Sequence, residues 1–199
     1  VRPTANRLPV LVLQHPQESA QAKGSVRLLG LSLAACTVQV GTAFDTATLA
    51  RWLAPMAGSL LLFPDAPADG GAGEPPPGTA AALPCPTQLV LLDGTWRQAR
   101  ALLRGHPLLQ QLPRWGLPAP PPPRYAIRRA QRADQRSTLE AACAALALLE
   151  GRPAHYAPLL DAFSGWVADE LARAEHGRAS RTGHTGAADV SAAGPTARS

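Results

Sequence analysis

Residues 89–104 read LVLLDGTWRQARALLR and join a strand pattern to a helix pattern. An apolar run ends at Asp93 and Gly94, and a helix pattern with three arginines begins at once. The run is continuous rather than alternating, which predicts a buried strand of a parallel sheet. A carboxylate at the carboxyl end of such a strand, beside a helix start, lies where open α/β sheets bind ligands. Asp93 is therefore the first candidate functional residue.

Strand and helix patterns alternate along the rest of the chain. Apolar runs predict five strands, at residues 10–13, 37–40, 59–63, 88–92 and 125–127. Helix patterns cover residues 19–34, 46–53, 95–103, 137–149 and 155–175. This alternation predicts an α/β fold with a mostly parallel sheet flanked by helices. We expect one domain over residues 1–175 and a disordered tail over 176–199, which is rich in Gly, Ala, Ser, Thr and Arg.

The composition is that of a globular protein from a reducing compartment. Three cysteines, Cys36, Cys85 and Cys143, are far apart in the sequence and form no CxxC pair. No run approaches the roughly 20 apolar residues of a membrane helix, and the first residues lack a signal-peptide pattern. We therefore expect a cytoplasmic protein with buried, reduced thiols and no bound metal.

Positive charge is concentrated directly after Asp93. Residues 97–152 contain ten arginines and three acidic residues, a net charge of +7, whereas the segments before and after each carry −1. Arginine binds phosphate through planar, bidentate hydrogen bonds, so this segment points to a nucleic acid partner. The alternative is a solvated basic face.

The surroundings of Asp93 admit two interpretations. The carboxylate could act as a general base or orient a substrate, or it could end the strand in an Asx turn. The following residues, Thr95-Trp96-Arg97-Gln98, fit a capping box in which Thr95 caps the helix and Gln98 reaches back. The same helix start offers N–H groups suited to an anion. Trp96 could stack on a nucleobase or an adenine ring, or pack into the core.

Other polar side chains are further candidates. Arg97, Arg100 and Arg104 share one face of the predicted helix, where like charges are unfavourable unless a polyanion or an acidic partner lies against them. His15 follows the first strand and is either a structural residue or part of a site. Ser137 begins a second capping box, and that helix start could also receive a ligand carboxylate.

Several common functional signatures are absent from the sequence. No GxGxxG follows the first strand, and no GxxxxGK[ST] occurs, so neither a standard dinucleotide site nor a P-loop is supported. No spacing indicates zinc, and no GxSxG indicates a hydrolase nucleophile elbow.

Six short blocks follow one another along the chain, QHPQE (14–18), KGSVR (23–27), LFPD (62–65), DGTW (93–96), YAIR (125–128) and STLEA (137–141). In this order they resemble the blocks of the DTW-domain family, which is named after an Asp-x-Thr-Trp motif, here Asp93-Gly94-Thr95-Trp96. Many bacterial members carry an amino-terminal cysteine cluster that resembles a zinc ribbon, and nothing comparable precedes Val10 here.

The resemblance implies a SPOUT-like fold with a knot-like cofactor site near the carboxyl end. It also implies a reaction, the transfer of the 3-amino-3-carboxypropyl group of S-adenosylmethionine to N3 of a tRNA uridine. A SPOUT-type RNA methyltransferase that uses the same donor and a non-catalytic RNA-binding protein are the competing hypotheses. The oligomeric state is open between a monomer and a homodimer.

The resemblance also implies a set of site residues. Asp93 is the expected catalytic residue, because a carboxylate near N3 could take its proton. Contacts with the donor are expected from Leu62, Phe63, Pro64, Thr95, Trp96, Tyr125, Ile127, Arg128 and Ser137. Contacts with tRNA are expected from His15, Lys23, Arg27, Arg97, Arg100, Arg104 and Arg129.

Overall fold

The computed structural model describes residues 3–19, 24–53, 58–63, 86–117 and 137–182. Its strands are β1 (Val10–Gln14), β2 (Cys36–Val40), β3 (Ser59–Leu62), β4 (Gln88–Asp93) and β5 (Arg114–Trp115). Its helices are α1 (Pro16–Ser19), α2 (Ser25–Ser32), α3 (Thr46–Trp52), α4 (Trp96–Gly105), α5 (Pro107–Gln110), α6 (Thr138–Leu149) and α7 (Pro153–Thr182). The chain divides into two compact units, residues 1–160 and 161–199.

The five strands form one sheet in the order β2-β1-β4-β3-β5, and every pair is parallel. The predicted α/β fold with a parallel sheet flanked by helices is therefore confirmed. The neighbouring inner strands β1 and β4 lead in opposite directions, since β1 continues to the edge strand β2 and β4 continues to the other edge strand, β5. The strand order thus reverses between β1 and β4, and open α/β sheets bind ligands at the carboxyl ends of such strands.

Different helices cover the two faces of the sheet. On one face, Leu11, Leu13 and Val90 belong to a buried core that also contains side chains of α3, α4 and α5. Side chains alternate along a strand, so Val12 and Leu91 point to the other face. There α2 packs against α6, and α6 contacts β4. Asp93 lies two residues after Leu91 in the same strand, so its side chain points to the same face, which α6 covers.

Both predicted capping boxes are present. The hydroxyl oxygen of Thr95 accepts from the backbone N–H of Gln98, whose side-chain oxygen accepts from the backbone N–H of Thr95 at 2.7 Å. Ser137 and Glu140 make the same pair of bonds at the start of α6. Each box satisfies two of the N–H groups that a helix start leaves free, which fixes where α4 and α6 begin.

Several predicted boundaries are wrong. The helix predicted over 19–34 begins only at Ser25, because Gly24 adopts an extended conformation at its N-cap, with φ −68° and ψ 126°. The short helix α1 begins before residue 19, where no helix is predicted, and its first residue is a proline, a residue favoured at that position. The final helix extends past residue 175 to Thr182, and the added residues include Arg178 and Arg181, which are good helix formers.

Other predictions lie wholly or partly outside the described residues. The strand predicted at 125–127 is among them, and the fifth strand of the observed sheet is Arg114–Trp115. The knot-like cofactor site stays a prediction, because residues 118–136, which precede α6, are not described. The single domain over 1–175 and the disordered tail also stay predictions. In the described part of the chain, no helix is long and apolar enough to span a membrane.

Candidate functional site

Asp93 and Gln14 end the adjacent strands β4 and β1 and lie directly opposite each other in the register of this pair. Gln14 is only 6% exposed, whereas Asp93 is half-buried. The two side chains therefore meet at the carboxyl edge of the sheet, where Asp93 is not fully buried.

Two side chains from distant parts of the chain hold the carboxylate of Asp93. The amide nitrogen of Gln14 donates to Oδ2 at 2.9 Å, and the hydroxyl of Thr138, the first residue of α6, donates to Oδ1 at 2.5 Å. Both bonds lead to other elements rather than to the turn after Asp93, which does not fit the Asx-turn interpretation. A carboxylate offers about four lone-pair sites, so about two are left for an incoming N–H group.

His15 and Gln17, which follow β1, connect the end of that strand to the start of α4. The backbone N–H of His15 donates to the carbonyl of Asp93 at 2.9 Å, and the ring Nδ1 of His15 accepts from the backbone N–H of Gln17 at 3.3 Å. The side-chain amide of Gln98 donates to Oε1 of Gln17 at 2.6 Å. A side chain at Gly94 would crowd this junction, since its Cβ would lie 3.1 Å from that of Gln98.

Trp96 is the first residue of α4 and is 50% exposed. The buried ring of Phe63, which follows β3, meets the indole edge to face, with ring centroids 5.7 Å apart. The guanidinium of Arg100 lies 5.8 Å from the centroid of the indole. Half of this large ring is open, which favours stacking on a planar ligand over the alternative of a core residue.

The comparisons with known proteins identify the family. A family model described as the DTW domain matches residues 1–170. The chain belongs to the DTW-domain family. It is 35% identical over 164 residues to a Drosophila melanogaster protein named tRNA-uridine aminocarboxypropyltransferase 2, with 76% of this chain and 60% of that protein covered. It is 30% identical over 158 residues to a Mus musculus protein of the same name, with 75% of this chain and 50% of that protein covered.

The chain therefore spans 60% and 50% of the length of these two curated relatives. No solved structure matches it.

The DTW motif forms the junction described above, and its residues have different structural roles. Asp93 supplies the carboxylate, Gly94 leaves room for Gln98, Thr95 caps α4, and Trp96 presents an open aromatic ring. The motif thus places a carboxylate just before the capped start of α4 and a half-exposed indole at its first residue.

The arginines of α4 lie away from the core, as their spacing predicts. The helix packs through Ala99, Leu102 and Leu103, while Arg97 and Arg104 are exposed. Arg104 bends back along the helix, and its Nε donates to the carbonyl of Arg100 at 3.3 Å. Beyond α4, Arg27 is exposed in the first turn of α2.

The residues predicted to contact the donor are only partly described. Leu62 ends β3, and Phe63 directly follows it beside Trp96. Ser137 caps α6, the helix whose first residue bonds Asp93. The predictions for Pro64, Tyr125, Ile127 and Arg128, and those for Lys23 and Arg129 on the RNA side, lie outside the described residues.

Gln14 and Thr138 are site residues that the sequence does not single out. Gln14 is the first residue of the QHPQE block, and Thr138 is the second residue of STLEA. Within their own segments they read as the end of a strand and the first turn of a helix. Their common contact with Asp93 depends on which strands pair and on where α6 packs. Local sequence patterns do not predict either of these features.

The described thiols are poorly reactive. Burial raises the pKa of Cys36 to about 11, and burial, with a smaller contribution from the charge of Glu140, raises that of Cys143 to about 12. Both are therefore protonated at neutral pH, and a thiol is a much weaker nucleophile than a thiolate. Among the described residues, no group of three or more His, Cys, Asp or Glu side chains could hold a metal ion. The expectation of no metal stays a prediction.

Proposed function

We propose that the protein is a tRNA-uridine aminocarboxypropyltransferase that uses S-adenosylmethionine and modifies N3 of a uridine. One observation carries the proposal. In a chain of the DTW-domain family, the carboxylate of Asp93 is held at the reversal point of the sheet, with lone pairs left for a substrate. The names of the Drosophila and mouse relatives support the reaction class.

The proposed chemistry is a nucleophilic substitution. A bond forms between N3 of the uracil and the carbon next to the sulfonium, and the C–S bond breaks with its electron pair passing to sulfur. Methylthioadenosine is the second product. Because a sulfonium is a good leaving group, the protein mainly has to position the reactants. A neutral N3 is a poor nucleophile, so Asp93 takes its proton as attack proceeds.

The residues around the junction fit the donor. The half-exposed indole of Trp96 suits the adenine ring, and Phe63, which directly follows β3, meets that indole edge to face. The start of α6 at Ser137 suits the methionine carboxylate, since the amino end of a helix carries partial positive charge. We place Leu62, Pro64, Thr95, Tyr125, Ile127 and Arg128 in the same donor site.

A tRNA substrate fits the basic surface beside the junction. Arg97 and Arg104 are exposed on the helix that begins at the motif. Arginines there would neutralise phosphates while the target base leaves its stack, because N3 lies on the pairing edge of uracil. We assign His15, Lys23, Arg27, Arg100 and Arg129 to the same contact.

A cytoplasmic location also stays a prediction.

The test is incubation of unmodified tRNA with S-adenosylmethionine and the purified protein, followed by nucleoside mass spectrometry. We expect uridine that carries an aminocarboxypropyl group, together with an equal amount of methylthioadenosine. A methylated nucleoside would instead identify a methyltransferase. Binding of tRNA without any calorimetric affinity for S-adenosylmethionine would identify a non-catalytic RNA-binding protein.

A further inference from the structure

We propose that Gln14 and Thr138 are positioning residues that orient the carboxylate of Asp93 towards the uracil N3. The inference rests on the proposed function and assigns two further residues to that reaction. Its basis is the pair of hydrogen bonds that fix the two oxygens of Asp93 from two different elements.

Each donor is itself held in place. Gln14 is buried, with only 6% of its surface exposed. Its backbone pairs with Asp93 across the adjacent strands β1 and β4. Because an ionised carboxylate only accepts hydrogen bonds, the Gln14 amide has to turn its nitrogen towards Oδ2. Thr138 follows Ser137, whose capping box with Glu140 fixes the start of α6. The orientation of the carboxylate therefore depends on where β1 and α6 lie.

This arrangement matters because an aspartate carboxylate rotates easily about its last side-chain bond. Bonds to both oxygens from separate elements stop that rotation and direct the remaining lone pairs. Proton transfer needs donor and acceptor atoms roughly 2.6–3.2 Å apart, and a displacement of about 1 Å can cost about 100-fold in rate. Loss of one donor should thus slow transfer without changing how the substrates bind.

The variants Thr138→Val and Gln14→Met remove one donor each and keep approximately the same volume. Thr138→Ser keeps the hydroxyl and is the rescue variant. Thr37→Val, on the exposed side of β2, and Gln111→Met, exposed after α5, are matched controls away from the site. For each protein, the transfer rate is measured in a single turnover with saturating S-adenosylmethionine and tRNA. Both dissociation constants and the melting temperature are measured alongside.

We expect Thr138→Val and Gln14→Met to lower the single-turnover rate by about 10- to 100-fold. The two dissociation constants should stay at their wild-type values, and Thr138→Ser and both controls should keep the wild-type rate. The inference is overturned if Thr138→Val transfers at the wild-type rate, or if its loss appears only in the dissociation constants or in melting. If the wild-type protein itself transfers no aminocarboxypropyl group, the proposed function fails first and the inference falls with it.

Discussion

The amide nitrogen of Gln14 lies 2.9 Å from Oδ2 of Asp93, and the two residues are paired across the adjacent strands β1 and β4. The register of β1 and β4 is therefore part of the site. A slip of one residue would turn the Gln14 side chain to the opposite face and remove this donor from the carboxylate. The same pairing places the carboxylate between the starts of α4 and α6. Trp96 and Ser137, at these two helix starts, belong to the proposed donor site.

Replacement of Trp96 should weaken binding of the donor. For Trp96→Ala, we expect the dissociation constant of S-adenosylmethionine to rise about tenfold, because stacking on an aromatic side chain contributes about 1–3 kcal/mol per base. Trp96→Phe should restore part of this affinity. Calorimetry with the donor and with tRNA separates the sites. A loss confined to tRNA would assign the ring to the uracil instead, and an unchanged affinity for both would remove Trp96 from the site.

The exposed arginines of α4 should contact tRNA phosphates. Arg97→Gln and Arg104→Gln are each expected to weaken tRNA binding and to lower the slope of log affinity against log salt by about 1. Arg51→Gln is the control, because Arg51 is exposed in the last turn of α3 and its guanidinium donates to Thr48 of the same helix. Salt titrations of tRNA affinity provide the measurement. Equal slopes for Arg97→Gln and Arg51→Gln would contradict this assignment.

Thr95 should contribute to stability through its cap. Thr95→Ala removes the hydroxyl that accepts from the Gln98 N–H, and loss of such a cap costs about 1 kcal/mol in the free energy of unfolding. Thr95→Ser keeps the hydroxyl and should retain most of the stability. Urea unfolding of the three proteins tests this directly. If alanine and threonine give the same free energy, the capping bond makes no net contribution.

Stability should fall in alkaline solution. Burial raises the pKa of Cys143 from 9.0 to about 12. Burial, followed by the interaction with Glu150, also raises the pKa of Tyr156 above its ordinary value of 10.0. Both groups ionise at lower pH in the unfolded chain than in the folded one. Their stabilising effect is complete below about pH 9 and is lost as the pH rises towards the folded values.

Urea unfolding at about pH 8 and about pH 10 measures this effect. The free energy of unfolding should be lower at the higher pH, and Cys143→Ala should reduce the difference. A free energy that does not fall between the two conditions would contradict the buried, neutral state of these groups.

Local patterns predict the β4–α4 junction well. The apolar run before Asp93 is long enough to indicate a buried strand, and Thr95 and Gln98 form the capping box that their spacing predicts. The fifth strand escapes prediction because Arg114 and Trp115 alone are too short to show any periodicity. It forms because the backbone N–H groups of Leu61 and Phe63 donate to the carbonyls of Pro113 and Trp115.

The contacts of Asp93 are harder to predict than its position. The residues that hold its carboxylate lie 79 and 45 positions away along the chain. Their convergence depends on the placement of β4 next to β1 and on the packing of α6 over that face, both of which are non-local. The sequence therefore indicates Asp93 as the candidate residue, whereas the structure identifies the two side chains that bond to its carboxylate.

Single-turnover transfer by Asp93→Asn tests the proposed base most directly. Asparagine keeps the shape of the side chain and an oxygen that can accept from Thr138, but it cannot take a proton from N3. With saturating S-adenosylmethionine and unmodified tRNA, we expect the rate of aminocarboxypropyl-uridine formation to fall by about 100-fold or more, with both dissociation constants unchanged. Transfer by Asp93→Asn at the wild-type rate would contradict the role of Asp93 as the base.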